Sequence, residues 1–303
     1  MSNKTIKKSV NHLDLSSYAQ SLISLMKPRV MSLVIFTCAV GFLTSNSNTN
    51  IIDAMIGIIL VALGAGAAGC LNMWYEADVD ALMTRTCLRP IPMGKINKDQ
   101  ALIFGIFLTV FSVGALNYFS NFLSAFLLFF TIAFYLFVYT IWLKRKTPQN
   151  IVIGGIAGSL PPVIGWTIAT NSISLASISL FLIIFFWTPS HFWALSLYKV
   201  DDYKKAKIPM MPLTDGIEKT KFYILIYSLL MLPVIILPFA INFSGFIYLI
   251  PAMMLTIYYN YICYDLYKHK KNKFVLKKAK KVFGYSILYL FLIFVLFLVD
   301  NLI

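Results

Sequence analysis

Negative charge is what this chain has least of. Asp and Glu number 12 in 303 residues, against 26 Lys and Arg. All charged residues together make up 13%, where a soluble domain has about 25%. Cysteine is scarce too. Cys38, Cys70, Cys87 and Cys263 stand singly, with no CxxC and no Cys/His grouping, which argues against a disulfide framework or a structural zinc site. No Walker A sequence is present, which sets aside a nucleotide-hydrolysing pump. The N-terminus has no apolar stretch before Lys27-Pro28-Arg29 and no small-residue cleavage site after it, so a standard secretory signal is not expected. The Arg-rich character of a mitochondrial transit peptide is also missing.

Apolar surface is abundant instead. The chain is 59% hydrophobic and 16% aromatic, and its mean hydropathy is +0.78. Such a chain needs a solvent other than water, so an integral membrane protein is expected. The net charge of +14 fits loops facing an anionic membrane surface; no nucleic-acid partner is expected.

Nine apolar runs have spanning length or nearly so: 30–43, 51–71, 101–119, 122–143, 151–169, 174–197, 222–241, 246–264 and 282–299. An all-α, polytopic bundle follows, with residues 1–29 as an N-terminal segment and 30–303 as a single transmembrane domain. The spacing of Leu13, Tyr18, Leu22 and Leu25 within residues 11–26 suggests a helix at the membrane interface. Alternate connections (SNSNTN, Ser120-Asn121, TNSIS, INFSG) carry no Lys or Arg, and the other connections and the N-terminus carry all 26. The positive-inside rule then predicts a cytoplasmic N-terminus and an external C-terminus, in the cytoplasmic membrane if the source is bacterial. The Lys-rich stretch 268–281 reads as a solvated face. Gly154, Gly155, Gly158 and Gly165 with Pro161-Pro162, like Gly64, Gly66 and Gly69, predict close helix packing or a broken helix.

Against this background, one stretch gathers acid: NMWYEADVDALMTRTCLRPIPMGK, residues 72–95. If the second span continues as a helix, Asn72, Glu76 and Asp80 share one face at i, i+4, i+8, while Asp78 points elsewhere. Oxygen ligands stacked in this way suit a hard cation such as Mg²⁺. A second acidic pair, Asp201 and Asp202, falls where the sixth span leaves the membrane. Two acidic clusters on one side, with Arg and Lys nearby, suggest metal ions sharing a phosphate or pyrophosphate. His191 is the only histidine within a span, and an intramembrane ionisable residue is functional by default.

The pattern NxxxExxxD followed by RTxxRPIP resembles the first signature of the UbiA-type intramembrane prenyltransferases, with Glu76 where Asp is commoner. Four stretches narrow the resemblance to the protohaem IX farnesyltransferase branch: KPRVMSLVIFT, NMWYEADVDALMTRT, LKRKTPQNIVIGGIAGSLPPVIGW and WTPSHFWALSLYKVDDYKKAKIPMMP. Tyr198 stands where the wider superfamily has the first Asp of a second DxxxD. The resemblance implies a central cavity open to the cytoplasmic side and farnesyl diphosphate and haem B as substrates. It also implies Mg²⁺ for diphosphate departure and a haem A synthase downstream. Asn72, Glu76, Asp80, Asp201 and Asp202 are then expected to hold metal. Arg29, Arg85, Arg89 and Lys144 are expected to contact diphosphate, and His191 and Tyr198 to serve catalysis. Trp74, Tyr75, Trp187, Phe192 and Trp193 are candidates for facing an allylic cation. Rival readings are a prenyltransferase for an aromatic or quinone precursor and a secondary transporter of an anionic solute.

Overall fold

A computed structural model describes residues 15–45, 47, 49–270 and 272–302. Lys4, Lys7, Lys8, Lys271 and residues 11–14 of the expected interfacial helix lie outside the described residues. Among those described, helices dominate and no strand occurs. Helix α1 (Leu15–Leu25) meets α2 (Pro28–Leu43) at a 53° bend. Lys27 sits at the bend in the left-handed region, with φ 56°, and Pro28 starts α2 with its pre-set φ. Leu25 packs with Cys70, Met73, Ile96 and Ala101, so α1 adheres to the bundle through its C-terminal end.

The following helices are α3 (Ile51–Tyr75), the short α4 (Ala77–Asp80), α5 (Lys98–Phe119) and α6 (Phe122–Ala133). The last runs on as a π-helical stretch, Phe134–Leu143. Next come α7 (Asn150–Ser159), α8 (Pro161–Thr170), α9 (Leu175–Tyr198), α10 (Val200–Lys205), α11 (Met211–Thr214), α12 (Ile217–Ala240), α13 (Phe246–Lys268) and α14 (Asn272–Leu302). Eight helical stretches are long and apolar enough to cross a membrane, and the bent α1–α2 pair makes up to nine. The fifth span is broken at Leu160, ahead of Pro161-Pro162, where the proline rings and missing N–H groups interrupt the ladder.

Two apolar clusters hold the bundle. One joins α9, α12, α13 and α14 around Trp193, Tyr259 and Phe294; the other joins α2, α3, α6 and α8 around Cys38, Leu128 and Ile164. Outward faces stay greasy: Ile103, Phe107 and Val110 on α5 are all exposed, a surface that lipid covers without loss. Glycine permits the closest crossing. A Cβ on Gly165 of α8 would stand 1.9 Å from the Cys38 carbonyl oxygen of α2, and one on Gly41 would stand 2.0 Å from the Pro162 carbonyl oxygen. Gly64, Gly66 and Gly69 also have the spacing G-x-G-x-x-G. They lie inside α3, against Leu128 and Met26, and not at the strand-to-helix turn that a dinucleotide site requires.

Candidate active site

The acidic face forms although α3 ends at Tyr75. The Glu76 amide still bonds the Asn72 carbonyl at 2.9 Å, and the Asp80 amide bonds the Glu76 carbonyl at 2.8 Å. The ladder therefore carries over the break into α4, and Asn72, Glu76 and Asp80 are all buried. Asp78 falls on the other side, exposed, and takes two bonds from Arg145 at 2.9 and 3.0 Å. The RTxxRP segment then folds back on α4. Thr86 donates to the Asp80 carbonyl at 3.0 Å, and Arg89 pairs with the Asp80 carboxylate at 2.6 Å.

Two more cations arrive from distant elements. Lys144 follows the π-helical stretch, where Thr140 donates to the Tyr135 carbonyl five residues back. π-Helical turns cluster at functional sites because they re-aim side chains. Here the stretch brings Thr140 to 3.1 Å from Asn72 Nδ2 and Lys144 Nζ to 2.5 and 2.6 Å from the two Glu76 oxygens. From the α1–α2 bend, Lys27 Nζ donates to Asn72 Oδ1 at 2.5 Å and lies in electrostatic range of Glu76, Asp80, Arg89 and Lys144. Three basic side chains thus face two carboxylates at these helix ends. Burial pushes the Glu76 carboxyl up, but Lys144, its hydrogen bond, Lys27 and Asn72 outweigh it and hold the group below the usual carboxylate range. Burial likewise pushes the Lys144 ammonium down, and Glu76 more than reverses this.

The second acidic exit is tied to the loop that follows the first. Asp202 of α10 is buried and accepts the Thr84 hydroxyl at 2.7 and 2.8 Å. That bond, with Lys199 4.0 Å away, keeps its carboxyl below the usual range. Arg85, next to Thr84, is exposed and acts electrostatically on both Tyr139 and Tyr198. Tyr198 is half-buried, meets Phe283 edge-on at 5.7 Å and has Lys280 over its ring at 5.9 Å. The Lys-rich stretch therefore contributes one cation here, although the sequence reading gave it only a solvated role.

Two expected members stand apart. Asp201 is exposed beside buried Asp202 on α10, and Arg29 is exposed, with no ion pair among the described residues. Lys27 and Thr84 take part where neither was expected. Deeper in the bundle, His191 is buried, its Nδ1 2.6 Å from Ser286 Oγ. The aromatic candidates scatter: Tyr75 lies under Arg145, Trp187 stacks on His191, Phe192 is partly exposed and Trp193 packs on Tyr227. Among the described residues no three His, Cys, Asp or Glu side chains form a ready metal cage. The donors present, three carboxylates and one amide with a hydroxyl close by, are hard oxygens. They suit Mg²⁺ that draws further ligands from a bound polyanion.

Helices long and apolar enough to cross a membrane thus carry, at their ends, an oxygen-rich patch ringed by basic side chains. The sequence signature of the UbiA prenyltransferase family matches residues 33–287, and the chain belongs to that family. It is 70% identical over 301 residues to the protoheme IX farnesyltransferase of Pelagibacter ubique, covering 99% of both chains. It is 48% identical to that of Parvibaculum lavamentivorans, covering 93% of this chain and 89% of the relative. A solved structure of digeranylgeranylglyceryl phosphate synthase shares the fold at TM-score 0.78 and 18% identity, over 94% and 98% of the two chains. A UbiA homologue from Archaeoglobus fulgidus, bound to GPP and Mg²⁺, does so at TM-score 0.64 and 18% identity, over 91% and 99%.

Proposed function

We propose that this chain transfers the farnesyl group of farnesyl diphosphate to a vinyl group of haem B, giving haem O. The C1–oxygen bond of the farnesyl donor breaks and diphosphate leaves. A carbon–carbon bond forms at the terminal vinyl carbon, and the cation left beside the pyrrole takes up water and releases a proton. The 70% identity to a protoheme IX farnesyltransferase over the whole chain supports the substrates. The convergence of Lys27, Lys144 and Arg89 on Asn72, Glu76 and Asp80 carries the mechanism.

These cations have the right chemistry for diphosphate oxygens: Arg89 and Arg85 as guanidinium forks, Lys27 and Lys144 as point charges. Asn72, Glu76, Asp80 and Asp202 are the side chains that would hold Mg²⁺, which when bound neutralises charge on the departing diphosphate. Exposed Asp201 has its place on the solvent side of that group, and Arg29 is left to the membrane surface. Thr84 holds the Asp202 carboxylate in place. Apolar surroundings at the helix ends exclude water from the allylic carbon, which protects the transfer from hydrolysis. The asymmetry of Lys and Arg supports a cytoplasmic N-terminus, an external C-terminus and a site facing the cytoplasm, which in a bacterium means the inner membrane. A haem A synthase would consume the product, and co-purification tests that pairing.

The test is to incubate the purified protein with farnesyl diphosphate, haem B and Mg²⁺ and look for haem O by mass. Its formation, lost in Asp80→Asn, is expected. Prenylation of an aromatic acid or quinone precursor in place of haem B would overturn the substrate assignment, and solute uptake into vesicles without transfer would favour a transporter.

A further inference from the structure

We infer that Ser286 is a positioning residue: it fixes His191 as the Nδ1–H tautomer and so presents the electron pair of Nε2 to the iron of the haem acceptor. This rests on the haem-farnesylating reading above and deepens it.

The tautomer follows from counting protons. Ser286 Oγ lies 2.7 Å from the Phe283 carbonyl oxygen and 2.6 Å from His191 Nδ1. A hydroxyl has one proton and accepts through its lone pairs. With that proton directed to the Phe283 carbonyl, the second contact is a bond only if Nδ1 carries a hydrogen and donates it to Oγ. In the other arrangement Oγ and the carbonyl oxygen face each other lone pair to lone pair. The Nε2–H would also be left without an acceptor, since nothing among the described residues hydrogen-bonds Nε2. The Nδ1–H form therefore prevails, with Oγ accepting from Nδ1 and donating to the Phe283 carbonyl.

The ring is also held in its plane. Trp187 stacks on it at 4.2 Å and 20°, and Phe283 at 4.6 Å and 25°. Trp187 Nε1 donates to the Ser286 carbonyl at 2.8 Å, so α9 and α14 clamp the histidine from both sides at one level. A neutral imidazole, one nitrogen donating to a fixed acceptor and the other carrying a free lone pair, is how proteins present histidine to a metal. His191 lies about 10 Å along α9 from Tyr198, at 1.5 Å per residue.

The test uses the full chain in nanodiscs with haem B and no farnesyl diphosphate. Wild type is expected to give the absorption and resonance Raman signature of imidazole-ligated haem. His191→Gly should lose that signature and recover it with added imidazole. Ser286→Ala keeps the Trp187 bond, which goes to backbone, so the seam between helices persists. It should weaken haem affinity about tenfold, the lower end of what loss of a metal ligand's supporting partner does, and Ser286→Thr should restore it. Metal-free protoporphyrin IX should bind wild type and Ser286→Ala alike. Three results would overturn the inference: an unchanged haem spectrum in His191→Gly, unchanged haem affinity in Ser286→Ala, or an equal loss of protoporphyrin binding in that variant. Haem O formation by wild type is assayed in the same preparation. Its absence removes the parent reading, whereas its presence with an unchanged His191→Gly spectrum removes only this one.

Discussion

Thr84 and Asp202, 118 positions apart in the chain, are joined by a hydroxyl that reaches both carboxylate oxygens at 2.7 and 2.8 Å. One small side chain thereby ties the loop after α4 to α10. A hydrogen bond to a charged group contributes about 1.5–3 kcal/mol, and about 1.4 kcal/mol is tenfold in rate. Thr84→Ala is therefore expected to lower kcat/KM for haem O formation by roughly tenfold or more, and Thr84→Ser to recover most of it. Steady-state kinetics at saturating haem B measures both.

Lys144 and Glu76 form a pair with little access to water: their side chains are 15% and 3% exposed. Removing one partner of such a pair leaves an uncompensated buried charge, which costs about 3–5 kcal/mol. Lys144→Met should lower the melting temperature of the purified protein clearly. The double variant with Glu76→Gln should melt higher than the single one, because the stranded charge is gone.

The pH response has a definite sign. Burial opposes ionisation of Glu76, but Lys144, Lys27 and Asn72 more than offset it, and Thr84 and Lys199 depress Asp202. Carboxyls held below their ordinary values contribute stability that is whole above the unfolded-state value, about 4. It is lost as pH falls through the lower folded-state values. Lys144 is raised, so its contribution is lost only on the alkaline side, above the ordinary lysine value of about 10.4. Through the carboxyls, melting temperature should fall in acid below about pH 4. In Glu76→Gln the acid fall should be shallower. Thermal melts across pH check this.

Glycine at the α2–α8 crossing gives a packing test with an internal control. Gly165→Ala would drive a methyl group to 1.9 Å from the Cys38 carbonyl oxygen, whereas nothing lies within 4 Å of a Cβ on Gly158. Overpacking of this kind costs about 1–3 kcal/mol or more. Gly165→Ala should express poorly or melt lower, and Gly158→Ala should behave as wild type.

The spans were legible because membrane helices write long apolar runs, and Asn72, Glu76 and Asp80 because period 3.6 survives a one-residue break in α3. Arg89 and Lys144 were found as basic residues beside those motifs. Topology alone explains the charge of Lys27; its one local signal, a residue directly before Pro28, predicts a bend but not its contact with Asn72. Arg29, two positions on, has the same charge in the same stretch of sequence but is exposed. Thr84 carries no chemical signal until α10 arrives beside it. Asp201 and Asp202 are indistinguishable in sequence, and only the packing of α10 turns Asp202 inward. Nothing local in Ser286 announces that it meets His191 from 95 positions away.

Whether the two acidic exits serve one Mg²⁺–diphosphate tests the account most directly. A thio analogue of farnesyl diphosphate that does not react, titrated with Mg²⁺ into wild type, Asp80→Asn, Asp202→Asn and the double variant, measures it. Residues that share one bound anion couple, so their effects do not add. Each single variant is expected to weaken binding at least tenfold, and the double variant to lose less than the two losses combined. Unchanged affinity in Asp202→Asn, or strictly additive losses, would contradict a single shared site.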